Sequence, residues 1–145
     1  MFVAGDKETE DINKRKTVIY VRQKLGTRKN VEERAENLRA YLIRNGISVD
    51  MTLTDSSDFF ICNAKQRPNL YKLIDLIENN RVSTIYTYSL NDISIVFFSI
   101  FEYICKLHKT KIVAVTSTSL SEEEKQEVRI GLGKLIAYFR KIYNI

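Results

Sequence analysis

One proline and five glycines in 145 residues leave no Pro- or Gly-rich linker that could divide this chain. Cysteine and histidine are scarce as well. Cys62 and Cys105 have no CxxC spacing, and His108 is the only histidine. A zinc site takes about four N or S ligands, so neither a metal nor any other cofactor is expected. No apolar run approaches the ~20 residues that span a bilayer. The longest, Ile93–Cys105, is interrupted by serines and Glu102 and reads as a buried helix, so no membrane partner is expected. Two unpatterned cysteines and no signal peptide point to a reducing cytoplasm. Internal repeats and low-complexity tracts are missing, and nothing points to a small-molecule substrate.

What is present is a globular composition, 44% hydrophobic, of a size suited to one domain. The net charge is +5, unevenly spread. Between Ile12 and Val31 lie seven basic residues (Lys14, Arg15, Lys16, Arg22, Lys24, Arg28 and Lys29) and no acid. Such a cluster is the footprint of a phosphate-backbone binder, or else a solvated patch.

Residues 1–16 are polar and mixed in charge, as in a loose N-terminal extension. Thr17–Arg22 reads as a first strand, with the apolar run Val18–Val21. A helix over Val31–Asn45 carries Ala35, Leu38, Leu42 and Ile43, with Glu32 and Glu33 in its first turn and Asn45-Gly46 as C-cap. Ser48–Leu53 is a second strand, followed by a polar loop over Thr54–Gln66. Arg67-Pro68 opens a second helix whose stripe is Leu70, Leu73, Ile74 and Ile77, ending at Asn79-Asn80. Ser83–Ser89 is a third strand, Asn91–Lys109 contains a third helix, and Lys111–Thr116 is a fourth strand, buried by its pattern. Four strands alternating with helices predict an α/β fold: an open, mainly parallel four-stranded sheet flanked by helices. In such a sheet, chemistry sits beyond the carboxyl ends of the strands, where the first strand runs into the basic loop.

Ser121 with Glu124 forms a capping box for a long terminal helix. Val128, Leu132, Leu135, Phe139 and Ile142 step by 4, 3, 4 and 3, which is heptad spacing over about two heptads. This stripe predicts a homodimer built on the terminal helix. The alternative is a helix packed on its own sheet.

From Thr17 onward the order of these pieces resembles the catalytic domain of the serine recombinases, the resolvase/invertase family. VIYVR stands where the family has a strand ending Y-x-R-x-S. Asp55-Ser56-Ser57 stands where it has an Asp and a small-residue loop. Arg67-Pro68-x-Leu70-x-x-Leu73-Ile74 is similar to its R-P-x-L-x-x-L-L. Tyr88-Ser89-Leu90-Asn91-Asp92 stands where it has a strand ending in S-L-D-R-L-S-R. The terminal SEEEKQEV…FRKIY resembles the long dimer helix, above all that of the small transposon branch.

The resemblance implies transesterification: a serine attacks a DNA phosphate while arginines offset charge in the transition state. Residue by residue, this chain departs from that pattern. Lys24 replaces the nucleophile serine. Asn91-Asp92 replace an Asp-Arg pair, and Ile95 replaces a further arginine. Arg22 and Arg67 match family arginines, and Asp55 matches the family aspartate. Thr27, Ser56, Ser57 and Tyr20 carry hydroxyls, but none is at the nucleophile position. The expectation is a catalytically inactive domain. It would act by self-association and would hold DNA or another phosphate partner through Arg22, Lys24, Arg28, Lys29 and Arg67. It would have no separate DNA-binding module and would regulate a mobile element or plasmid. The alternatives are an active recombinase with a displaced nucleophile and a purely structural interaction module.

Overall fold

A computed structural model of the chain describes residues 14–23, 30–56, 67–93, 98–116 and 122–144. Four strands form one parallel sheet in the order β2-β1-β3-β4: β1 (Lys16–Arg22), β2 (Met51–Asp55), β3 (Val82–Thr87) and β4 (Lys111–Ala114). Helices α1 (Val31–Arg44), α2 (Pro68–Glu78) and α3 (Phe98–Leu107) connect them, and α4 (Glu122–Tyr143) follows. A short 3-10 turn, Leu90–Asp92, follows β3.

β1 is buried on both faces, which its unbroken apolar run requires. Ile19 and Val21 pack on α1 through Val31, Ala35, Leu38 and Leu42. Val18 and Tyr20 pack on the opposite face with Leu70, Leu73 and Ile77 of α2 and with Phe101 and Cys105 of α3. The chain steps one way from β1 to β2 and the other way from β2 through β3 to β4. With right-handed crossovers, that reversal puts α1 on one face and α2 and α3 on the other.

Local signals placed most boundaries. Asn30 caps α1 by accepting the Glu33 N–H at 2.7 Å, and Gly46 follows the helix at φ +80°, where a Cβ would be strained. Pro68 begins α2, where its missing N–H costs nothing.

Several expectations need correction. β2 runs over Met51–Asp55, later than the expected Ser48–Leu53, because Asp50 is spent on pairing: its carboxylate accepts the Thr17 N–H at 2.9 Å. The expected single helix over Asn91–Lys109 is the 3-10 turn and α3 as separate elements. β4 is an edge strand, exposed at Lys111 and half-buried elsewhere, not a buried one. Lys14, Arg15 and Lys16 are not loose. Lys16 belongs to β1 and Lys14 pairs with Asp50 at 3.8 Å. Arg15 donates to the carbonyls of Val82 and His108 at 2.7 Å and of Lys109 at 3.0 Å, tying β1 to the end of α3.

Candidate functional site

The strand order changes direction between β1 and β3, so the crevice beyond their carboxyl ends is the site this topology offers a ligand. Arg22 ends β1 opposite Asp55, the last residue of β2. Two polar networks meet there, and both are buried.

The first network joins Tyr20, Asp55 and Arg67. The Tyr20 hydroxyl donates to Asp55 Oδ2 at 2.6 Å. The same carboxylate accepts the first-turn N–H groups of α2, Asn69 to Oδ1 at 3.0 Å and Leu70 to Oδ2 at 2.9 Å. Asp55 therefore caps α2 from outside the helix and complements its dipole. Arg67 has no exposed surface. Its Nη2 donates to Tyr20 Oη at 2.8 Å and to the Asp92 carbonyl at 2.6 Å, its Nε donates to Tyr20 Oη at 3.2 Å, and its Nη1 donates to the Ile93 carbonyl. The guanidinium also lies 5.5 Å from the Tyr20 ring centroid. Burial, the largest influence, raises the Tyr20 phenol far above its ordinary range. As a neutral donor to Asp55, this hydroxyl is a structural group, not a poised nucleophile.

The second network joins Arg34, Asp92 and the end of β1. Arg34 projects from α1, donates through Nη1 to the Arg22 carbonyl at 2.5 Å and faces Asp92 Oδ1 at 3.7 Å. It stacks over the Tyr88 ring at 4.9 Å, and the Tyr88 hydroxyl donates back to the Arg34 carbonyl at 2.8 Å. Asp92 Oδ2 accepts the N–H groups of Tyr88 at 3.0 Å and Ser89 at 3.2 Å, closing a capping box with Ser89 on the 3-10 turn. The residue is 3% exposed. Burial pushes its carboxyl up, against Arg34, the Ser89 and Tyr88 N–H groups and the positive charge of Arg22. Arg22 is itself buried, and its Nη1 donates to the Gln23 carbonyl at 3.0 Å. Asp92 thus links the networks, by its carbonyl to Arg67 and by its carboxylate to Arg34.

Of the residues singled out in the sequence, the structure gathers Arg22, Asp55, Arg67 and Asp92 at this edge. Lys24, Arg28, Lys29 and Ile95 lie outside the described residues, as do Thr27, Ser57 and Ser121; Asn91 is placed only by its backbone, in the 3-10 turn. Sequence reasoning missed Arg34. Its signal was available: Arg34 interrupts the stripe of Val31, Ala35, Leu38 and Leu42, and a charge on a buried helix face needs a buried partner. Tyr88 was seen only as part of a strand end.

Elsewhere, burial and then Glu102 push the Cys105 thiol up to about 12, which leaves it inert. Among the described residues, no group of three or more His, Cys, Asp or Glu side chains could hold a metal ion, and no helix is long and apolar enough to cross a membrane. α4 packs on no other element to any extent among the described residues. Leu132, Phe139 and Ile142 of the predicted stripe are exposed, as are Ile136, Tyr138 and Tyr143. Val128 and Leu135 are placed only as helical backbone.

No family model matches the chain, and no curated protein matches it. Solved structures do. The first open reading frame of the transposon ISC1904 from Sulfolobus solfataricus superposes with a TM-score of 0.70 at 22% identity, over 89% of this chain and 86% of that one. The C-terminal catalytic domain of ISC1926 TnpA, an IS607-like serine recombinase, gives 0.66 at 21% identity, over 87% and 84%. A serine recombinase from Sulfolobus solfataricus gives 0.66 at 26% identity, over 90% and 87%. The chain has the fold of a serine recombinase catalytic domain, as the order of its motifs implied.

Proposed function

We propose that this chain, a domain with the serine recombinase catalytic fold, does not cleave DNA and works as a self-associating partner in a mobile-element system. The single observation that carries this reading is the place of Asp92. Its carboxylate is buried at the crevice between β1 and β3, facing Arg34 and within the field of Arg22. A phosphoryl-transfer site needs positive charge left over for the phosphate. Here a carboxylate takes up that charge from within. Arg67 is committed to Tyr20 and to two backbone carbonyls. By resemblance, Lys24 stands at the nucleophile position, and an amine there has no hydroxyl to attack phosphorus.

The mobile-element context comes from the neighbours: one is a transposon reading frame and another an IS607-like recombinase. Self-association is supported by α4, whose apolar side chains stand in water in the single chain. Contact with DNA falls to the basic loop, Lys24, Arg28 and Lys29, which follows β1 in the sequence. Such binding would be electrostatic and largely indifferent to sequence.

The test pairs two assays on one duplex DNA. Binding is titrated against salt, with an expected slope of roughly −0.9 per phosphate neutralised in log K against log salt. Covalent capture is scored in parallel and is expected to be nil. The double substitution Arg28→Ala with Lys29→Ala reduces the slope. Binding left unchanged by that substitution removes the basic loop from the account.

A further inference from the structure

We infer that the exposed face of α3 is the seat for α4 of a second copy of this chain. The inference rests on the self-association proposed above and names its second surface. α3 turns Phe101 and Cys105 toward the sheet. On its other side Ile100, Tyr103 and Leu107 fall within about 60° of one another at 3.6 residues per turn. They are 62%, 62% and 61% exposed. Their spacing, i, i+3 and i+7, is that of a helix face made to be covered.

The shape of α4 says what covers it. At 100° per residue, Leu132, Ile136, Tyr138, Phe139, Ile142 and Tyr143 span an arc of roughly 160°. A two-stranded seam uses a narrower stripe, two positions in seven. The remainder of the arc belongs against a second surface. Interface size leads to the same place. A stable protein–protein interface engages about 20–30 residues a side. α4 has 22 residues and offers only one of its sides to a partner helix, so a crossing of two α4 helices falls short alone. The α3 stripe supplies the next apolar surface. Ile100 to Leu107 and Leu132 to Phe139 both step seven residues, about 10 Å, so the two match in length.

Charge points the same way. From Lys134 onward the charged residues of α4 are all basic: Lys134, Arg140 and Lys141. Two such segments lying side by side repel. α3 offers Glu102 next to its stripe, paired with Lys106 at 3.8 Å on the exposed surface. Exposed pairs of this kind contribute little and exchange readily.

The test uses the full chain in a Cys62→Ser background. Chains carrying Tyr103→Cys are mixed with differently tagged chains carrying Ile136→Cys, and a short bis-maleimide is added. The expected product is a conjugate joining the two tags. Cross-linking confined to a single chain bearing both substitutions means that α4 folds back on its own α3, which overturns the inference. In parallel, Tyr103→Glu with Leu107→Glu weakens self-association about tenfold or more in sedimentation, since truncating buried interface anchors costs more than 1 kcal/mol each. Both positions face water in the single chain, so the domain stays folded. If that variant associates as the wild type does, α3 is no part of the interface and the inference fails, while the α4 dimer stands. If the wild type is monomeric at high concentration, the self-association reading fails and takes this inference with it.

Discussion

Asp92 and Arg34 face each other across 3.7 Å, both nearly sealed from solvent, at the point where the ends of β1 and β3 diverge. The pair joins the turn after β3 to α1, and Arg34 carries the link on to the Arg22 carbonyl. Acid and cation here hold the strand ends in place, and the acid also caps its own turn.

Asparagine at position 92 keeps an acceptor for the Tyr88 and Ser89 N–H groups, whereas alanine orphans both. Each buried donor left without a partner costs about 1–3 kcal/mol. Asp92→Ala is therefore expected to lower urea-denaturation stability by at least about 2 kcal/mol more than Asp92→Asn. Equal losses for the two variants would mean that the N–H bonds to Asp92 carry no weight.

The same carboxyl sets a pH dependence. Burial raises its pKa in the folded state above that of the unfolded chain. The folded state then holds the proton more tightly. The stabilisation from protonating Asp92 is complete below the unfolded carboxylate pKa and is lost as pH rises through the raised folded value. Stability of the wild type relative to Asp92→Asn should therefore increase as pH falls from neutral toward the ordinary carboxylate range. Paired denaturation curves measure this. A relative loss on acidification would show that Arg34 and the N–H groups outweigh burial.

Arg67 and Tyr20 act as one unit around a shared hydroxyl. Tyr20→Phe keeps the ring packing but removes the group that bridges Arg67 and Asp55, at a cost of about 1–3 kcal/mol. Arg67→Lys is not conservative here, because one ammonium cannot reach Tyr20, the Asp92 carbonyl and the Ile93 carbonyl in the fork geometry observed. It should cost more than Tyr20→Phe by the same measurement. A smaller loss would place the fixed point of this network at Asp55.

On α4, Leu132→Glu with Phe139→Glu should give a folded monomer by sedimentation, with its circular dichroism largely kept. Both side chains are solvent-exposed in the single chain, so the added charges disturb only a partner. Unfolding of this variant would mean that the helix is part of the domain core.

Most of the architecture was legible where a local signal is strong. The apolar run Val18–Val21, Pro68 at the start of α2 and Asn45-Gly46 at the end of α1 each fix a conformation by short-range sterics or hydrogen bonding. Less legible were features set by tertiary placement. KIVAVT reads as a buried strand, yet β4 lies at the sheet edge and ends at Ala114, which depends on strand order. Ile93–Cys105 reads as one apolar helix, yet Asp92 closes a capping box back on Ser89 and makes a separate turn first. At the site, Arg22, Asp55, Arg67 and Asp92 could be named in advance, but Asp92 was expected to repel a phosphate from an open pocket. The structure turns it inward, to a partner on α1 that shares no motif with it.

The central claim is that this chain does not join itself to DNA, and covalent capture tests it most directly. Wild-type protein is incubated with supercoiled DNA from its own genomic neighbourhood, quenched in denaturant and resolved by mass. The account predicts free DNA and free protein only, and the same result for Lys24→Ser, because Asp92 remains where a phosphate would need positive charge and Ile95 offers no side-chain donor. A protein–DNA adduct in the wild type, mapped to Ser56 or any other hydroxyl, would contradict it.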